Sequence, residues 1–137
     1  MALIIILSIS CRVKYSDLVY GNPAVSGYDT VAYFTLGQPV KGSFLYTYEY
    51  QDAEWRFSSQ ANRDLFIANP EQYAPQYGGY CSWAVGHGYT APGSPTDWHI
   101  YNNKLYLNVN ASVHQSWLQD KEALIISGDR NWPGVLD

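Results

Sequence analysis

Trp98-His99-Ile100-Tyr101-Asn102-Asn103-Lys104-Leu105-Tyr106-Leu107 is the stretch on which the fold turns. Two runs rich in strand-favouring residues flank Asn102-Asn103, and Asn tolerates the positive φ that a two-residue primed turn demands. That turn sets a register: Tyr101 opposite Lys104, Ile100 opposite Leu105, His99 opposite Tyr106 and Trp98 opposite Leu107. Alternation along the strands then puts Trp98, Ile100, Leu105 and Leu107 on one face, expected to be core. His99, Tyr101, Lys104 and Tyr106 fall on the other, expected to be wetter.

Working upstream, Tyr46, Tyr48 and Tyr50 alternate with Thr47 and Glu49, and Trp55-Arg56-Phe57 alternates again after a break at Gln51-Asp52-Ala53. This predicts a first hairpin with an aromatic inner face. A helix should follow, capped by Ser58 or Ser59, with Ala61, Leu65 and Ala68 on one side and Phe66 beside them. Asn69-Pro70 ends it and starts a short turn through Tyr73, with Gln72 placed to reach back to the cap. Working downstream, Val113, Trp117, Leu118, Leu124 and Ile125 fit an amphipathic helix after Asn110, broken near Asp120 and ended by Gly128. The class is α+β: antiparallel hairpins and helices in separate runs.

The chain of 137 residues is one domain in size. Aromatic residues make up 16% of it and charged ones 15%, against roughly 25% charged in an average globular protein. Such a composition excludes a disordered chain. A net charge of −4 argues against a nucleic-acid partner, which would require a basic stripe. Residues 1–23 read as a signal-like or lipoprotein-like segment and lead-in, and 24–137 as the folded domain. The apolar run Ala2 to Ile9 is too short to span a bilayer, which takes about 20 residues, but fits the core of a secretory signal. Leu7-Ser8-Ile9-Ser10-Cys11 looks like a lipoprotein cleavage box, with Cys11 as the lipidated residue and a membrane anchor. The other reading of the run is a buried first strand.

The stretch from Trp55 to Tyr73 resembles the core of the YHS domain. Ser26-Gly27-Tyr28-Asp29-Thr30-Val31-Ala32-Tyr33-Phe34 resembles the opening motif of a secreted bacterial subgroup of that family. Ala74 to Cys81, Asp97-Trp98, Lys104 to Asn108 and Asn131-Trp132-Pro133 are similar to the same subgroup, so the resemblance covers about residues 24–133. It implies a treble-clef-like helix and a link to copper or heavy-metal handling. The metal-type cysteines of better-known members would fall on Ala32, Ser58 and Asn62. None is a thiolate, so the resemblance carries the fold but not that site.

Cys81 and His87 remain as a pair of soft ligands for copper or zinc. A strand would hold them about 20 Å apart and a helix about 9 Å, so co-ligation needs a bend at Gly86. The competing reading is a packed thiol, since strand parity sets Cys81 with Trp83 and Val85. His99 could reach a metal or a groove-bound ligand, or be a surface histidine; His114 is expected in solvent. Asp29 could bind a cation or cap the turn that starts at Thr30. Tyr46, Tyr48, Tyr50, Tyr77, Tyr80, Tyr89 and Trp83 exceed what a small core absorbs, and some could line a groove. A phosphate loop, a zinc-protease helix and a serine elbow are missing from the sequence.

Three functions follow in order. The first is an exported, periplasmic or envelope-anchored, non-enzymatic binding protein, taking copper or zinc through Cys81, His87 and His99. The second is a metal-free interaction module whose aromatic groove, with Asp29, Tyr80 and Trp83, takes a protein or a small molecule. The third is a thiol-dependent enzyme using Cys81, which would need an imidazole base within hydrogen-bond reach.

Overall fold

Two pairs of left-handed residues organise the chain. Gln51 and Asp52 (φ 51° and 59°) close one hairpin, and Asn102 and Asn103 (φ 49° and 60°) close the other, as two-residue primed turns require. A computed structural model describes residues 19–137, and the run Ala2 to Ile9 and Cys11 lie outside them. The order is α1 (Thr30–Thr35), β1 (Ser43–Tyr50), β2 (Ala53–Phe57), α2 (Gln60–Ala68), α3 (Pro70–Tyr73) and α4 (Ser82–Gly86). It continues through β3 (Ser94–Tyr101), β4 (Lys104–Asn108), α5 (Ala111–Gln119) and α6 (Lys121–Asn131). β1 pairs with β2 and β3 with β4, each as a two-stranded antiparallel sheet. The class is therefore α+β, with the C-terminal helices as expected.

The second hairpin has the register that its turn dictates, with Trp98, His99, Ile100 and Tyr101 facing Leu107, Tyr106, Leu105 and Lys104. In the first hairpin Tyr50 faces Ala53 and Tyr48 faces Trp55, but the register slips between Ser43 and Thr47. The slip falls beside Phe44 and Leu45, which are 77% and 74% exposed.

One apolar core joins Val31, Tyr33, Trp55, Phe57 and Phe66 to Leu105 and Leu107. A second gathers Tyr77, Val85, Tyr106, Trp117 and Leu124. β4 serves both: Leu105 and Leu107 point one way and Tyr106 the other. The expectation of a wet face on the second hairpin holds at Lys104 and is corrected at Tyr106. Tyr106 is buried because Trp117 of α5 lies against it, with ring centroids 5.2 Å apart.

Three other local expectations change. α2 is capped by Ser59, whose side chain accepts from the Asn62 N–H, but its inward residue is Phe66, while Leu65 is 42% exposed. Phe66 stacks within 4.8 Å of Trp55 and 5.0 Å of Phe57, and Asn62, one turn earlier on the same side, is held from below by Asp29. These two anchors outweigh the small apolar stripe of Ala61 and Ala68. Gln72 does not reach back to Asn69; it donates to the Asn103 carbonyl at 2.8 Å and accepts from the Asn103 amide at 3.1 Å. Gly128 lies inside α6 rather than ending it. A Cβ there would sit 2.6 Å from the Tyr77 hydroxyl, so the glycine makes room for a ring.

Candidate functional site

Asp29 precedes α1 and is fully buried. Its Oδ1 accepts from the backbone N–H groups of Val31 (3.0 Å) and Ala32 (3.2 Å), which makes it the helix cap. Its Oδ2 accepts from the Ser58 N–H (2.8 Å), the Ser58 hydroxyl (2.6 Å) and the Asn62 amide (2.8 Å). One carboxylate thus fastens α1, the end of β2 and the start of α2 together. All five donors are neutral, yet a carboxylate acceptor makes each bond stronger than a neutral pair would.

Ala32, Ser58 and Asn62, the positions where the resemblance would place metal cysteines, all donate to Asp29. They present N–H and O–H hydrogens to an anion, and they offer no thiolate or imidazole. This donor set stabilises negative charge and does not fit a metal ion. Asp29 itself caps and ties; both its oxygens are engaged within the protein, and neither is directed at a cation or ligand.

The other sequence-chosen residues lie at and around α4 and on β3. Cys81 precedes α4 and is 0% exposed; its thiol lies 3.5 Å from Asn108 Oδ1, and its backbone bridges to Leu107. His87 ends α4 at the surface, with its ring 4.3 Å from that of Trp83. His99 packs against Trp117 (5.8 Å) and lies 6.2 Å from His114. Burial holds His99 below the ordinary imidazole value, and the His114 and Lys121 charges push the same way. Burial also lowers His114, which is half-buried rather than in solvent, while Asp97 opposes the shift. Among the described residues no group of three or more His, Cys, Asp and Glu side chains is placed to hold a metal ion. Trp83 packs on the second core, and its backbone N–H donates to Asn108 Oδ1. Tyr80 lies 6.0 Å from Trp132 and lines a second hollow, of about 430 Å³, with Tyr20, Pro23 and Leu107.

Where the two cores meet, a cleft of about 370 Å³ opens, within the range of small-ligand sites. Its aromatic lining is Tyr20, Tyr50, Tyr77 and Trp132, and its charged residues are Glu71, Asp129 and Lys104. Trp55 supports two of the rings, at 4.8 Å from Tyr20 and 5.9 Å from Tyr50, and its indole N–H donates to the Tyr50 carbonyl. Tyr77 stands on a left-handed backbone (φ 58°) beside Gly78, and its hydroxyl donates to Asp129 Oδ1 at 2.8 Å. Burial pushes the Tyr20 hydroxyl up to about 12, with Tyr50 and Glu71 adding to the shift. Burial and the bond to Asp129 raise Tyr77 as well. The cleft therefore offers neutral hydroxyls, aromatic rings and two carboxylates against one ammonium.

Of the aromatic residues singled out in the sequence, Tyr50 and Tyr77 reach this cleft. Tyr46 and Tyr48 pack on the first core, and Tyr89 lies exposed on the α4–β3 connection. Tyr20, Glu71, Lys104, Asp129 and Trp132 were not expected there. They come from five separate stretches, and the local signals, the Asn-Pro turn before Glu71 and the Asn-Asn turn before Lys104, do not bring them together.

No curated protein and no solved structure matches the chain. Residues 31–77, from α1 to Tyr77 in the lining of the cleft, match the YHS domain family model and include Ala32, Ser58 and Asn62 around the buried carboxylate.

Proposed function

We propose that this protein is a metal-free, non-catalytic binding module whose ligand sits in the cleft between Tyr50 and Trp132. One observation carries the reading: aromatic side chains from the two ends of the described chain, Tyr20 and Trp132, converge with Tyr50 and Tyr77 on a concavity that also holds Glu71, Lys104 and Asp129. The filling of the metal-type positions by Asp29 and its donors supports the metal-free part. The non-catalytic part is supported by the surroundings of Cys81, whose thiol faces a carboxamide oxygen rather than an imidazole. Membership of a secreted bacterial subgroup, resting on the motif Ser26 to Phe34, and export and anchoring through Cys11, resting on the run Ala2 to Cys11, belong to the same proposal.

The test is a fragment screen followed by backbone and indole NMR shifts on the full chain. Shifts centred on Tyr20, Tyr50 and Trp132, and lost in Tyr50→Ala, are expected. Binding that centres elsewhere, or survives Tyr50→Ala unchanged, overturns the reading.

A further inference from the structure

Resting on the cleft reading above, we infer that the ligand is an organic cation, a quaternary ammonium group held by aromatic rings and by Glu71 and Asp129. The charges on the cleft decide the sign. Two carboxylates line it against the single ammonium of Lys104, and neither carboxylate is ion-paired with a described residue. Asp129 accepts the Tyr77 hydroxyl through Oδ1, which leaves its other oxygen for a ligand. Lys104 begins β4 at the exposed rim, where a long side chain keeps its charge in water. An anionic ligand would meet the wrong potential here, and the protein's net charge of −4 works in the same direction.

The rings decide what kind of cation. Tyr20, Tyr50 and Trp132 offer π-systems, which attract a cation within about 6 Å of the ring centre. A hard inorganic cation such as calcium takes about six to eight oxygen ligands. Two carboxylates across a cleft of this size fall short of that shell. A quaternary ammonium needs no such shell, because its alkyl groups shield the charge and ring faces can take the place of water around it. The neutral hydroxyls of Tyr20 and Tyr77 add polar contacts without adding charge.

The experiment titrates the full chain with choline chloride and, in parallel, with its neutral isostere 3,3-dimethylbutan-1-ol, read by NMR shifts and calorimetry. Choline is expected to shift Tyr20, Tyr50 and Trp132 and to bind at least fivefold more tightly than the isostere. Glu71→Gln should weaken choline about two- to fivefold and leave the isostere unchanged. Glu71 is exposed and makes no hydrogen bond among the described residues, so this variant keeps the fold. If the isostere binds as tightly at the same residues, the cation inference is overturned and the cleft reading stands. Other fragments shifting these residues while choline does not has the same meaning. If no fragment shifts them, both fall.

Discussion

Asn62 of α2 donates its side-chain amide to Oδ2 of Asp29 at 2.8 Å, across a sequence separation of 33 residues. That bond closes a knot in which a carboxylate sits where a metal centre would be expected from family resemblance. Its organising role is similar to a metal's: it gathers the start of one helix, the end of a strand and the start of another helix. The physics differs, because the links are charge-assisted hydrogen bonds rather than coordination.

Removing the knot should be costly. Asp29→Ala leaves five buried or half-buried donors without their acceptor, so a loss of about 3 kcal/mol or more is expected. Asp29→Asn retains one acceptor oxygen and should lose less. Urea denaturation checks both, and a loss under about 0.5 kcal/mol for Asp29→Ala would contradict the role assigned to it.

A chelator should do nothing. With the metal-type positions occupied by donors to Asp29, Tm is expected to be the same with and without EDTA, measured after extensive dialysis. A fall in Tm on chelation would show that a metal holds part of this fold.

Gly128→Ala should destabilise the protein although alanine is the better helix former by about 1 kcal/mol. The new methyl would meet the Tyr77 hydroxyl at 2.6 Å and its ring carbon at 2.8 Å. The expected net loss is about 1–3 kcal/mol. In a Tyr77→Ala background the same change should cost nothing or stabilise, and a cost that persists there would place the clash elsewhere.

Acid should weaken the packing of α5 on the second hairpin. The folded protein keeps His99 and His114 below the usual imidazole value of 6.5, through burial in both and, for His99, the facing His114 and Lys121 charges. Asp97 is the one facing acid that opposes this, at His114. Among the described residues His114 Nε2 is buried without a hydrogen-bond partner. As pH falls through 6.5 the unfolded chain takes up protons that the folded one resists, so stability drops. Chemical denaturation between pH 7.5 and 5 should show that slope, and His99→Gln with His114→Gln should flatten it. An equal slope in the double variant would assign the effect to other groups.

Cys81 should be inert in the native state. In a Cys11→Ser background, Ellman's reagent is expected to react with Cys81 only on unfolding, since the thiol is sealed against Asn108. Copper or zinc titrated into that background and into Cys81→Ser should give the same affinity. Rapid native labelling, or metal binding lost with the thiol, would return the soft-metal reading to the front.

The second hairpin was legible because Asn102-Asn103 fixes its own register, a local property that needs no tertiary information. The N-caps at Asp29 and Ser59 were legible for the same reason. Which side of α2 turns inward was not, since Phe66 and Asn62 are held by partners about ten and thirty residues away. Gly128 looked like a helix stop because its reason for being glycine, the Tyr77 ring, lies 51 residues upstream. The cleft was hidden for the same cause: its walls meet only after both hairpins have formed. A cap and a turn are written in neighbouring residues, but a concavity is written in none of them.

The family-matched segment ends at Tyr77, yet Leu105 and Leu107, two of the side chains that fill its interior, are supplied by β4. That strand turns its middle residue, Tyr106, toward the aromatic cluster on its far side. Heat should therefore melt the two halves in a single calorimetric event, because neither can lose β4 without stripping the other. A fragment cut after Tyr77 would be left with an unfilled hollow, so the remainder of the chain is a co-founder of the domain rather than an appendage.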